Sequence, residues 1–216
     1  MEKLYPDSKV EVRGLEARFY DSIMNIMTLG VYPSFIAKTI KDMDIQSDDQ
    51  IIDLGCGTGR NACLMLNYIS EYGSVTGFEI STEMIEQFKV NCLQHPNVKL
   101  ETKRIDTDLG IDNQIDKAFI SFVLHGFPHE VRFKVIDNVY KALKQGGEFQ
   151  ILDYNEFSLK GIPFYIRIPF KTLECKYAFD FIEKDWKTLL SERGFGDFRE
   201  NYYFGKYVRL LKARKL

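Results

Sequence analysis

The sequence predicts a single α/β domain, doubly wound around a mostly parallel sheet. Three observations lead there. From residue 50 onward, short apolar runs alternate with stretches whose apolar residues recur at helical spacing, the order that builds βαβ units. Residues 115–124, IDKAFISFVL, form a continuous apolar run of the kind that lies in the middle of a sheet with both faces covered. Finally, 216 residues bury one good core but are few for two ordinary domains.

Taken in order, residues 15–43 carry Phe19, Ile23, Ile26, Met27, Phe35, Ile36 and Ile40 at helical spacing, interrupted by Gly30 and Pro33, which predicts two helices. Residues 1–45 are thus expected to form an N-terminal helical cap. The strand IIDL then opens a core over 46–154: a helix over 61–70, the strand SVTGFEI, a helix over 82–93 and the strand NVKLE. After the central strand, 130–144 repeats Val131, Val135, Ile136, Val139 and Leu143, stops at Gly146 and Gly147, and leads into the strand EFQILDY. Residues 155–182 are rich in aromatics. A short helix near 185–192 precedes two strand-like runs, FRENYYF and KYVRLLKA, whose junction at Gly205 predicts an antiparallel hairpin in the final segment, 183–216.

Charge narrows the function classes. With 29 basic and 31 acidic residues the net charge is −2, so no global field draws in nucleic acid. The tail over 206–216 is basic, but its interleaved apolar residues suit a strand with a solvated face. Cys56, Cys63, Cys92 and Cys175 form no C-x-x-C pair and do not cluster with His95, His125 or His129, so neither a disulfide framework nor a metal site is expected. The N-terminal residues lack an apolar stretch of signal-peptide length, and no apolar run is long enough to span a bilayer. A cytoplasmic location without stable membrane insertion is the expectation.

The chemistry is concentrated in Ile51-Ile52-Asp53-Leu54-Gly55-Cys56-Gly57-Thr58-Gly59, a strand running into a glycine turn that opens a helix. Such a turn lets a ligand approach the backbone and presents free helix N–H groups to it. The spacing is G-x-G-x-G, and Arg60 stands where a nicotinamide-dinucleotide fingerprint requires glycine. About 20 residues on, Glu79 ends the next strand, where a carboxylate can accept from both hydroxyls of a ribose.

IIDLGCGTG, the acid in GFEIS and GGEFQILDY together resemble the class I methyltransferases that use S-adenosylmethionine (SAM), especially the quinone-biosynthesis and small-molecule branch, over roughly residues 15–155. The resemblance implies a Rossmann-like methyltransferase fold with a seven-stranded sheet, N-terminal helices and a C-terminal antiparallel hairpin. It implies that Asp53 and the backbone of Gly55, Cys56, Gly57 and Gly59 hold the amino acid end of SAM, and that Glu79 holds the ribose. Ile80 and Met84 would flank the adenine, with Ile105 and Asp106 beside its amino group. Ser121 would lie near the methyl group, and Tyr20, within Phe19-Tyr20-Asp21, would close over the cofactor; an equal alternative makes Tyr20 an interfacial packing residue.

Methyl transfer from a sulfonium is an in-line displacement activated by the cofactor itself, so the protein chiefly supplies proximity and orientation. A base is needed only if the acceptor must lose a proton, and His125 is the candidate, with His129 also eligible. Segment 155–182, with Phe157, Phe164, Tyr165, Phe170, Tyr177, Phe179 and Phe181 around Arg167 and Lys171, reads either as an acceptor lid or as a packed crossover. The expected function is methylation of a small aromatic or apolar acceptor at carbon or oxygen, such as a quinone precursor. A non-catalytic SAM-binding module, or an enzyme acting on a protein or nucleic acid, is the alternative.

Overall fold

A computed structural model describes Tyr5, Asp7, Ser8, Gly14, Asn25 and residues 30–216 apart from Gly161. Five strands, β1 (Gln50–Leu54), β2 (Ser74–Glu79), β3 (Val98–Thr102), β4 (Ile115–Ser121) and β5 (Leu143–Tyr154), run parallel. The last two, β6 (Phe195–Tyr203) and β7 (Val208–Lys215), form the expected hairpin. β7 slides between β5 and β6, antiparallel to both, to complete one seven-stranded sheet in the order β3-β2-β1-β4-β5-β7-β6.

Alternation along the strands sends side chains into two separate cores. Ile51, Phe119, Leu152 and Leu210 face α1 (Tyr32–Asp42), α2 (Arg60–Met65) and α3 (Thr82–Asn91) through Phe35, Ile36, Met65 and Phe88. Ile52, Leu54, Ala118, Ile120, Phe149, Ile151 and Leu211 face the other layer: α4 (His129–Ala142), α6 (Lys176–Phe181) and α7 (Trp186–Ser191). A further helix, α5 (Phe164–Leu173), precedes α6. Strand order reverses between β1 and β4, and ligands of doubly wound sheets bind at the carboxyl ends of the strands beside that switch point.

Several elements depart from the sequence reading. The central strand stops at Ser121 because Phe122 takes φ +52°, and the apolar residues after it coil into a 3₁₀ turn, Leu124–Gly126. The helix expected over 61–70 is only six residues long. β5 starts at Leu143, earlier than expected: Ile115 pairs with Leu143 and Lys117 with Glu148, so Gly146 and Gly147 sit in a bulge of the strand. The aromatic segment folds into the helices α5 and α6. Cys63 and Cys92 are joined in a disulfide across α2 and the end of α3, Cα atoms 5.6 Å apart, contrary to the expectation of no disulfide framework. Their 29-residue separation hid the pairing, because the βα unit between them is what brings them together. The first of the two helices expected over 15–43 lies outside the described residues.

Candidate active site

The glycine turn is fastened to the neighbouring strand. Gly55 and Cys56 both donate backbone N–H groups to Phe78 O, at 2.9 and 3.1 Å. Gly55, Gly57 and Gly59 have φ of +72°, +53° and +84°, a region L residues seldom adopt. Gly59 is doubly required, since a Cβ there would lie 2.8 Å from the Phe88 ring. Gly57 differs: among the described residues a side chain there would meet only Met84 Sδ, at 4.0 Å. Among the described residues the turn is therefore packed on both shoulders and open at its centre.

Two residues before the turn, Asp53 is 1% exposed, with neither carboxylate oxygen hydrogen-bonded among the described residues. Burial, then the charge of Glu79, push its pKa up to about 7. Glu79 ends β2 as expected. Its Oε2 accepts from Gly57 N–H at 3.0 Å, and its Oε1 from the N–H groups of Ile80 and Ser81 at 2.7 and 2.8 Å. The carboxylate thus braces the glycine turn and keeps lone pairs for further donors. Burial and the two neighbouring acids hold the Cys56 thiol well above its usual range, so it is a packing group and not a nucleophile.

Of the residues expected to flank an adenine, Met84 is buried and Ile80 is 37% exposed. Ile105 is buried, and its carbonyl accepts from Asn138. Asp106 is bound already, by Arg104 Nε and Nη2 at 2.9 and 2.6 Å and by the Tyr5 hydroxyl at 2.5 Å. Ser121 ends β4, and two residues on, Val123 fills the space beside Gly55, fixing the turn after β4 against the glycine turn. Tyr20, with Phe19 and Asp21, lies outside the described residues.

The turn after β4 carries His125, 6% exposed. Its Nδ1 lies 2.7 Å from Asp153 Oδ1, at the end of β5, and its Nε2 lies 3.3 Å from Glu174 Oε2, between α5 and α6. Glu174 Oε1 also accepts from the Tyr154 hydroxyl at 2.6 Å. Burial alone would lower the pKa of His125, but Asp153 and then Glu174 overcome it and carry it up to about 10. Both ring nitrogens of His125 face carboxylates here, an arrangement that favours the imidazolium and opposes a role as a base. His129 starts α4, its ring 4.4 Å from Phe133, and burial lowers its pKa.

Arg132, 0% exposed, ties these parts together. It donates to Leu124 O and His125 O in the turn, and to Tyr177 O and Asp180 Oδ2 on α6. The sequence reading missed Asp153, Glu174 and Arg132. Asp153 ends a strand at the same sheet edge as Glu79 and could have been found by the same rule. Nothing local marks Glu174 or Arg132.

Residues 51–147 match the family model described as a methyltransferase domain. The chain is 26% identical over 144 residues to a demethylmenaquinone methyltransferase of Listeria welshimeri, covering 66% of this chain and 60% of that protein. It is 26% identical over 188 residues to a ubiquinone/menaquinone biosynthesis C-methyltransferase of Francisella philomiragia, covering 79% and 74%. A SAM-dependent methyltransferase structure from Aquifex aeolicus superposes with a TM-score of 0.60 at 19% identity, covering 84% and 89%. Residues 51–147 are thus similar to a methyltransferase domain, and the chain shares the fold of a SAM-dependent methyltransferase structure. The chain spans about 60% of the length of the first of these relatives.

The site residues fit SAM. A buried carboxylate with no hydrogen-bond partner among the described residues, next to a glycine turn, calls for a cation, and the α-ammonium of SAM supplies one. SAM also carries the activated methyl group. Around it, Asp53 and the turn would hold the amino acid end and Glu79 the ribose. Glu79→Ala is expected to weaken S-adenosylhomocysteine binding by about 1 to 3 kcal/mol in calorimetric titration, through loss of ribose hydrogen bonds and of the brace on Gly57. Unchanged affinity would remove Glu79 from the site.

Proposed function

We propose that the chain transfers a methyl group from SAM to carbon or oxygen of a small aromatic or apolar acceptor, such as a quinone precursor. The observation that supports this best is the cluster of rings at the carboxyl edge of the sheet. His125 packs 5.1 Å from Tyr154, Tyr154 5.0 Å from Phe170, and Phe170 5.7 Å from Phe157 and 5.4 Å from Phe179. Such rings suit a flat acceptor. Residues 155–182 are the acceptor lid in this reading, and the names of the relatives agree with a quinone-type acceptor. Reaction is an in-line displacement in which the protein orients the acceptor and excludes water.

The proposed location is the cytoplasm. The Cys63–Cys92 disulfide counts against it, since reducing compartments keep thiols free. Among the described residues no helix is long and apolar enough to cross a membrane.

The test is transfer of a deuterated methyl group from SAM into a panel of naphthols, quinols and catechols, read by mass spectrometry, beside S-adenosylhomocysteine and NADH titrations. Turnover of any ring acceptor supports the reading. Tight S-adenosylhomocysteine binding with no turnover across the panel would replace it with a non-catalytic SAM-binding module.

A further inference from the structure

The Cys63–Cys92 disulfide is tied to the last two residues of the glycine turn. Gly59 O accepts from Cys63 N–H at 2.9 Å, and Cys92 Sγ lies 3.4 Å from the same oxygen. Asn91, at the end of α3, donates its side-chain amide to Thr58 O at 3.0 Å, and its own carbonyl lies 3.4 Å from Cys63 Sγ. Phe88, one turn earlier on α3, fills the space in which a Cβ on Gly59 would fall. The end of α3 thus grips Thr58 and Gly59, and the bridge is the covalent part of that grip. The helix that the turn opens, α2, is six residues long, too short to hold its place without such tertiary ties. The two sulfurs differ in access: Cys92 is 0% exposed and Cys63 is half-buried, so a thiolate from outside reaches Cys63 first. Once reduced, each thiol finds a carbonyl acceptor in place, Asn91 O for Cys63 and Gly59 O for Cys92, so the same backbone accommodates both redox states.

We propose that Cys63 and Cys92 are a redox-active pair that exchanges with a dithiol reductant and sets the grip of the glycine turn on the cofactor. A thiolate of the reductant attacks Cys63 Sγ, the S–S bond breaks, and Cys92 leaves as a thiolate that takes up a proton. The second thiolate of the reductant then attacks the mixed disulfide and releases Cys63, which is protonated in turn. Two electrons and two protons pass from the dithiol to the protein, and the reductant departs as a cyclic disulfide. With the bridge closed the turn is pre-organised. Opening it leaves Thr58 and Gly59 held by hydrogen bonds and packing alone, and the ordering that the cofactor must then impose weakens its binding. The inference rests on the SAM reading of the glycine turn. It also removes the conflict between the disulfide and a reducing cytoplasm, where bridges are transient and serve catalysis or redox sensing.

The test equilibrates the full chain in mixtures of reduced and oxidised dithiothreitol and counts thiols by alkylation and mass spectrometry. The oxidised chain should show two thiols, Cys56 and Cys175, and the reduced chain all four. S-adenosylhomocysteine, titrated by calorimetry, should bind the reduced chain at least about fivefold more weakly. By reciprocity, saturating S-adenosylhomocysteine should shift the reduction equilibrium toward the bridge by the same factor. Without cofactor, amide hydrogen exchange over residues 56–66 should quicken on reduction, while that of α4, on the other face of the sheet, stays the same. Cys63→Ser, at the more accessible sulfur, should bind as the reduced wild type does whatever the mixture. Four thiols in every mixture, or equal affinity in the two redox states, would overturn the proposal. No binding in either state, with exchange over 56–66 still quickened by reduction, would remove the cofactor reading and leave the redox pair standing.

Discussion

Asp53→Asn is expected to stabilise the cofactor-free protein while crippling cofactor binding. The buried carboxyl has an ordinary pKa of 3.8 and a folded value of about 7. Between those values the folded state keeps a proton that the unfolded state has lost. Stability therefore falls as pH rises through the window, and above about pH 7 the full cost persists. A shift of this size corresponds to roughly 4 kcal/mol as an upper bound, since an asparagine in the same place still buries polar atoms. Urea unfolding at a series of pH values should show variant and wild type converging near about pH 4, with the variant gaining up to a few kcal/mol above about pH 7. Parallel profiles would mean that Asp53 does not carry this strain.

The affinity arm has the opposite sign. A cation in the cradle requires ionised Asp53, so wild-type binding of S-adenosylhomocysteine should release a proton below about pH 7 and tighten as pH rises toward that value. Asp53→Asn should lose about 1.5 to 3 kcal/mol of binding free energy and most of that pH dependence. A residue that weakens the empty fold and strengthens the loaded one is how a binding site differs from a core position.

The part of the site that was legible in sequence is the part built by consecutive residues. Asp53, the glycines and Glu79 lie on one βα unit and the strand after it, so strand periodicity, turn chemistry and strand-end position specify them without tertiary information. The alternating βα core was legible for the same reason, because each strand-helix step is local. What failed was non-local. His125 and Asp153 are 28 residues apart, and His125 reads as a free loop histidine until β4 and β5 are laid side by side. Asp106 reads as a vacant strand-end acid, but Arg104, two residues away, and Tyr5, from the far N-terminus, fill it. Cys63 and Cys92 needed α2 packed on α3. The early start of β5 at Leu143 was masked by Gly146 and Gly147, which signal a stop to any local rule although here they mark a bulge.

Arg132→Ala is expected to be the most damaging single substitution at the acceptor side. The guanidinium is fully enclosed, with four hydrogen-bonded partners: two carbonyls of the turn after β4, the Tyr177 carbonyl, and the Asp180 carboxylate at 2.7 Å. It also lies over the rings of Phe181 and Trp186, at 5.2 and 5.6 Å. Truncation leaves three carbonyls and a carboxylate short of their donor and opens a cavity beneath two rings. Asp180 is itself partly exposed, so the cost falls on the buried carbonyls, about 1 to 3 kcal/mol for each group left unsatisfied, read as a lower urea midpoint at unchanged slope. Arg132→Lys should recover little, because an ammonium on a flexible stem cannot serve carbonyls and a carboxylate in a planar fork. Since the bonds join the turn that carries His125 to the helix that follows Glu174, the variant should also become more sensitive to proteolysis within 155–182 and lose acceptor turnover beyond its loss of S-adenosylhomocysteine affinity. Equal losses in both would reduce Arg132 to a stability residue.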